Sequence, residues 1–372
     1  MEVKLIDNEA GFWKLEEAWQ ELQSQGSIKN ITMTWEWIST WWRVFRKDRD
    51  LAIIVAKHEN QTVGIAPFIK RRIMYFKLLP YLRMELMASG ENERDEICSD
   101  YLDFIIKRGW ERKFIKAVFE YLYYSRDVTW NELLLSRIDT TSSTIPLVLE
   151  LVESFGLKVD EIERFPCPYI SLPLSFEEYL SQLGKSARYQ IRHGMRKLNM
   201  AGEAVFKIAR VKDEVESARK TLIHLHQSRW KLKEEHGVFS SDKFKLFHDR
   251  LIPIAFDKDW LRLGTLFLNG IPVACLYNFR FEDKICFYQS GMEVSELRHG
   301  LLAHAYAISH AISEGAKEYD FLAGASDYKR RLAKKQRQII TLRIAKPSSK
   351  EAIYTLMQKV KSHLRKLKYS FR

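Results

Sequence analysis

Apolar residues along this chain alternate between a helical and a strand period. Phe12, Leu15, Trp19 and Leu22 share one helical face over about the first 25 residues. Residues 34–45 (TWEWISTWWRVF) put Trp35, Ile38, Trp41, Trp42 and Phe45 on another, with Thr34 placed as a cap. So regular a stripe reads as core packing rather than as a stacking platform for sugars or bases. Residues 51–56 and 62–69 predict a hairpin, 101–106 and 130–136 two more strands, and 114–124 and 146–155 helices, the second stopped by Gly156. Strand–helix alternation of this kind belongs to the α/β class. Three prolines in Phe165-Pro166-Cys167-Pro168-Tyr169-Ile170-Ser171-Leu172-Pro173 mark a domain boundary.

Beyond that boundary, Ser175 and Glu178 form a capping box for a short helix. Residues 184–199 carry Lys185, Arg188, Arg192, Arg196 and Lys197 and no acid. Arg188, Arg192 and Arg196 line one helical face, where like charges repel unless an anion or acidic partners lie against them. Residues 215–230 and 244–256 predict helices, the second limited by Pro253. Two strands flank Asn269-Gly270 as a hairpin.

The most informative pattern starts at Lys284. Lys284–Met292 (KICFYQSGM) has strand alternation, and residues 293–300 form a polar loop ending in Arg298-His299-Gly300. Leu301, Leu302, Ala305, Ile308 and Ile312 then share one helical face, Gly315 ends it, and residues 319–322 return to a strand. A strand–helix–strand crossover makes the two strands parallel. The loop then presents free N–H groups and the positive end of a helix dipole, which suit an anion such as a pyrophosphate. Gly300 allows close approach and Arg298 adds charge. A plain turn accounts for the same residues.

Composition narrows the classes. The 372 residues are 46% hydrophobic and 13% aromatic, enough for two cores. No apolar run is long enough to span a membrane, and residues 1–7 lack a secretory pattern. Cys98, Cys167, Cys275 and Cys286 have no ligand spacing and are too few for a disulfide framework, which implies a reducing cytoplasm. His224 and His226 fall on different helix faces and share no metal. The net charge of +12 attracts anions such as CoA, nucleotide sugars, lipid phosphates or RNA. Residues 346–372 hold eight of the bases against Glu351 alone, a net +7. There Ile353, Leu356, Met357, Val360, Leu364 and Leu367 line one face of a basic helix. Packing of that stripe on its own domain is the expected arrangement. The other is contact with an anionic membrane surface, which would make the protein peripheral at the inner membrane face.

The order Arg298-His299-Gly300-Leu301-Leu302, helix, Glu318-Tyr319-Asp320-Phe321-Leu322-Ala323-Gly324, Asp327-Tyr328-Lys329 resembles the GNAT acyltransferase superfamily. It is most similar to the double-GNAT, CelD/BcsL-like group associated with cellulose and exopolysaccharide synthesis. That group often has Ser-Pro where this chain has Arg298-His299. The resemblance runs from the Trp-rich segment to about Pro347. It implies two tandem GNAT-like mixed-sheet domains. The first spans 1–165, where no glycine-led turn into a helix marks a cofactor loop. The second spans 166–346 with an acyl-CoA loop, and a basic amphipathic helix follows at 347–372. It implies acetyl-CoA or another acyl-CoA as co-substrate, no metal, and an amine of a sugar or other metabolite as acceptor.

The resemblance also assigns roles. A backbone N–H around Ser290, Gly291 and Met292 would hold the thioester oxygen. The loop Arg298, His299, Gly300, Leu301 and Leu302 would hold the cofactor. Tyr328 is the candidate acid or a substrate contact, and Asp320, facing out of its strand end, the candidate base or a substrate anchor. A strand aspartate in that place also reads as a cap for the following turn. Tyr288 and Gln289 are cleft candidates. Lys329, with Arg330 beside it, and Arg188 and Arg192 would meet substrate anions. Two alternatives stand beside this one. One is a FemABX-like aminoacyl transferase using charged tRNA, which the basic stripe suits. The other is a non-catalytic scaffold of a polysaccharide synthase.

Overall fold

A computed structural model describes residues 1–26, 29–324 and 326–370, with the side chains of the last helix described as far as Lys361. The expectations for Leu364, Leu367 and the cations beyond them lie outside the described side chains. The first half runs β1 (Glu2–Ile6), α1 (Glu9–Trp13), α2 (Glu16–Gln25), α3 (Trp35–Phe45), β2 (Asp50–Leu51), β3 (Ile53–His58), β4 (Gln61–Ala66), β5 (Phe68–Tyr75), β6 (Leu79–Leu86), β7 (Ile105–Ile106), α4 (Glu111–Tyr124), β8 (Glu132–Asp139), α5 (Thr144–Ser154) and β9 (Lys158–Ser171). The second runs α6 (Phe176–Gln182), α7 (Lys185–Ala201), β10 (Ala204–Ile208), α8 (Lys212–Lys231), α9 (Asp242–Asp257), β11 (Leu261–Leu268), β12 (Ile271–Phe281), β13 (Lys284–Met292), α10 (His299–Ser313), β14 (Glu318–Asp320), α11 (Asp327–Leu332) and β15 (Lys335–Ala345). α12 (Ser349–Ser370) follows.

The halves repeat one plan. In each, an antiparallel meander feeds a strand that pairs in parallel with the next after a helical crossover: β6 with β8 across α4, and β13 with β14 across α10. The two are joined by exchange. β9, from the first half, pairs with β14, and β15, from the second, pairs with both β9 and β8. One sheet of 11 strands therefore runs through both halves, in the order β10-β11-β12-β13-β14-β9-β15-β8-β6-β5-β2. The proline-rich segment is thus a strand of this sheet and not a linker. Pro166 and Pro168 turn their carbonyls toward Gly324 and Phe321, so on that edge the missing N–H groups cost no bond to β15.

Thr34 caps α3 as expected, accepting from the N–H of Trp37. α3 is apolar nearly all round because it lies between the halves. Trp37, fully buried, packs on Phe247 and Phe279 of the second half, with ring centroids at 5.1 and 5.8 Å. The helix expected over 244–256 is α9, and Pro253 lies inside it rather than limiting it. A glycine turn does open α4, contrary to expectation, with Gly109 at φ +85°. Glu111 in the first turn of α4 repels an anion there.

The last helix corrects another expectation. It docks through Glu351 and Tyr354, while Ile353, Leu356 and Val360 are exposed. Among the described side chains, these three residues of its apolar stripe do not pack on their own domain, and Met357 is half-buried.

Candidate active site between β13 and the β14 loop

β13 and β14 pair only at Lys284–Glu318, Ile285–Tyr319 and Cys286–Asp320. After Asp320 the chain leaves β13 and follows β9, with the Phe321 N–H donating to the Pro168 carbonyl (2.9 Å) and that of Gly324 to Pro166 (3.0 Å). A wedge opens between residues 287–292 of β13 and residues 321–324. β12 stays paired with β13 to Met292, through a bulge that leaves Tyr288 without a partner. The bulge flips the alternation. Phe287 and Met292 face α10, while Tyr288 and Gly291 face α8 and α9.

The Glu293 N–H bonds back to Val273 on β12 (2.9 Å). Alternation then turns the N–H groups of Ser290 and Met292 toward the wedge. That of Ser290 is covered by the Oε1 of half-buried Gln289 (2.9 Å), and its carbonyl meets His226 Nδ1 (2.9 Å). The N–H of Met292 lies on the wedge edge. Gly291 is required by close packing, since a Cβ there would stand 2.5 Å from the Leu222 carbonyl of α8. A cleft of about 660 Å³ opens at this end of β13, lined by Lys220, His224, Arg229, Met292, Glu293 and Val294 among others.

At the start of α10, Arg298 stands in the left-handed region at φ +54° and offers no side-chain cap. The first N–H groups of the helix therefore lack a side-chain acceptor. Arg298 itself is exposed, and one Nη donates to Gln190 of α7 (2.9 Å). His299 is 3% exposed, and neither ring nitrogen has a hydrogen-bond partner. Glu293 approaches Nδ1 only to 3.5 Å, and burial holds the imidazole below its usual range. Gly300 faces β13 rather than open space, because a Cβ would stand 2.3 Å from Met292 Sδ. Leu301 is half-buried and Leu302 is core, where it fills the gap at Gly194 of α7.

Tyr328 is half-buried at the wedge, stacked on His304 with centroids 5.3 Å apart and next to Phe321. Burial pushes its hydroxyl up to about 12. The other chemical candidates stand elsewhere. Asp320 is fully buried and does not face out. Its carboxylate accepts the Tyr101 hydroxyl (2.8 Å) and the Leu322 N–H (2.7 Å), the turn cap that sequence also allowed. Burial raises it to about 6 against the pull of Lys284 and Arg337. Lys329, 8% exposed, donates to the carbonyls of Phe321 (2.7 Å) and Ala323 (2.8 Å) and clamps the loop from inside. Burial lowers its ammonium below the usual range. Arg330 is exposed and pairs with Asp327. Tyr288 donates to the Ile97 carbonyl (2.6 Å) and meets His248 Nε2 (3.0 Å), so it ties the halves together. Arg188, Arg192 and Arg196 lie on the side of α7 opposite Gln190 and Gly194, hence away from α10. Arg192 is exposed and pairs with Glu177.

Sequence reasoning missed the wall that the first half contributes. Asp100 accepts from the Ala323 N–H (2.7 Å) and from Arg137 (2.6 Å). Cys98, Tyr101, Arg137 and Leu322 are all non-glycine residues at positive φ. Such strain gathers at functional sites, and only the three-dimensional pairing reveals it. Cys98 is exposed here. Among the described residues no His/Cys/Asp/Glu group is placed to hold a metal, all four cysteines are free, and no helix is long and apolar enough to cross a membrane.

This geometry is that of a GNAT-like mixed-sheet fold, two such halves in tandem. Residues 185–330 match the Acetyltransferase (GNAT) domain family. Solved structures share the fold over nearly the whole chain. FemX is 10% identical with a TM-score of 0.61, covering 96% of this chain and 99% of its own. A conserved protein of unknown function from Bacteroides thetaiotaomicron gives 10% and 0.55, covering 93% and 100%. The C-terminal domain of a putative lysylphosphatidylglycerol synthetase from Agrobacterium fabrum gives 9% and 0.52, covering 94% and 96%. At these identities the likeness is one of fold. No curated protein matches the sequence.

Proposed function

We propose that the protein transfers an acyl group, acetyl in the simplest case, from acyl-CoA to an amine of a sugar or another small metabolite. Its setting would be exopolysaccharide or cellulose assembly, as the CelD/BcsL-like resemblance implies. The observation that carries this reading is the wedge beside β13, which runs directly into the uncapped start of α10. An extended pantetheine chain fits alongside a free strand edge. The diphosphate fits the first N–H groups of α10, with Arg298 and the unpaired ring of His299 beside them. The acceptor amine attacks the thioester carbonyl carbon, the nitrogen gives up a proton to water, the C–S bond breaks, and the departing thiolate takes a proton. The Met292 N–H would bond the carbonyl oxygen as it gains charge. Tyr328, protonated at neutral pH, suits the acid that serves the thiolate and not the base.

The test is release of free thiol from acetyl-CoA against a panel of amino sugars and other amines. Tyr328→Phe is expected to lower kcat about 100-fold or more with KM for acetyl-CoA little changed. Equal kcat would remove Tyr328 from the chemistry.

A second reading, aminoacyl transfer from charged tRNA, draws on the outward basic face of α7. Arg188, Arg192 and Arg196 there suit a phosphate backbone better than a small substrate in the wedge. A filter-binding affinity that falls steeply with salt would support it.

A further inference from the structure

We propose that the outer face of α12 and the tip of the β5–β6 hairpin form a docking surface for an anionic lipid bilayer. Among its described side chains, α12 is held to the body along one side. Arg343 bonds Glu351 through two nitrogens (2.9 and 2.7 Å), and its guanidinium lies 4.0 Å over the Tyr354 ring. Tyr354 in turn packs on Tyr75, with centroids at 4.5 Å. Ile353, Leu356 and Val360 point elsewhere on the helix and are 48%, 63% and 51% exposed. Lone exposed apolar residues need no explanation, but three at helical spacing form a stripe.

The neighbouring hairpin has the same character. Leu78 is 78% and Met74 57% exposed. Its turn holds Phe76 and Lys77 at positive φ, where asparagine and glycine are the usual choices. Lys361 reaches over the Phe76 ring (5.9 Å) and Lys350 donates to the Pro80 carbonyl (3.2 Å), so helix and hairpin belong to one surface. Exposed Lys77, Lys359 and Lys361 edge it. Glu351, the single acid between residues 346 and 361, is turned inward onto Arg343 and Lys158.

An apolar stripe edged by lysines, with its acid turned inward, complements a bilayer. Acyl chains take the stripe and anionic head groups take the lysines. A second copy would bring the same cations face to face.

The test is co-sedimentation of the full chain with vesicles of phosphatidylcholine alone and with roughly one-third phosphatidylglycerol. Binding is expected to the anionic vesicles only, and to weaken with salt. Leu356→Asp and Leu78→Asp are expected to lower it about tenfold or more. Both positions are exposed, and an unchanged thermal melt checks that the variants fold. Equal binding to neutral vesicles, or binding unmoved by either variant, would overturn the proposal. So would a dimer in sedimentation that Leu356→Asp dissolves, since the face would then belong to a second copy. The outcome is independent of the acyl donor.

Discussion

Asp320→Ala should cost stability rather than activity alone, by about 3–5 kcal/mol, because it removes the acceptor of two buried donors and a counter-charge to Lys284 and Arg337. Tyr101 comes from the first half, so the loss also loosens the halves from each other. Asp320→Asn keeps the shape and separates charge from packing. In the folded protein burial raises Asp320 to about 6, above its ordinary 3.8. A raised carboxyl stabilises the fold fully at pH below the unfolded value and loses that contribution as pH climbs through the folded one. The stability of the natural protein relative to Asp320→Asn should therefore fall between about pH 4 and 6, by roughly 3 kcal/mol, and level off above. Glu91 and Asp103, also raised by burial, act equally in both proteins and cancel. Melts in a pH series read this directly. A flat difference would mean that Asp320 is not desolvated as described.

Arg343→Ala should destabilise by a similar amount, about 3–5 kcal/mol, and should release α12 first. Arg343 is 1% exposed between Glu132 and Glu351 and stacks on Tyr354. Without it Glu132 keeps Arg83, and the helix start keeps the half-exposed Lys158–Glu351 pair and the Tyr81 hydroxyl as polar ties to the sheet, but loses its two-nitrogen link and the stacking on Tyr354. In the natural protein burial pushes Glu351 up, but Arg343 and Lys158 outweigh it and hold the carboxyl below its usual range. Its stabilisation is thus present at neutral pH and is lost as pH falls through that lowered value. Limited proteolysis should cut α12 in Arg343→Ala under conditions that spare the natural protein. If α12 stayed protected, its docking would rest on apolar contacts instead.

The strand–loop–helix–strand order at Lys284 was legible because each piece is local. Alternation, a glycine stop and a helical face need no knowledge of distant partners. What escaped is what depends on distant pairing. Pro166 and Pro168 look like a domain boundary until β15 and the chain beyond β14 are seen on either side of them. Asp320 looks like an outward strand end until Tyr101, over 200 residues away, is seen to cover it. Lys329 looks like a free cation until the Phe321 and Ala323 carbonyls wrap its ammonium. Tyr288 looks like a cleft residue until the Ile97 carbonyl of the first half and His248 are seen to take its hydroxyl. The stripe on α12 was read correctly as a stripe, but the helix binds by its polar edge, through a buried ion pair that periodicity does not weigh.

The most direct test of the central claim is a calorimetric titration of the full chain with acetyl-CoA, repeated on Arg298→Gly. That substitution removes a charge at the start of α10 and relieves a left-handed backbone that glycine adopts freely, so the fold is kept. Micromolar-range binding that weakens about tenfold in Arg298→Gly is the expected result. No binding of acetyl-CoA or of longer acyl-CoAs to a folded protein would contradict the account and turn attention to charged tRNA.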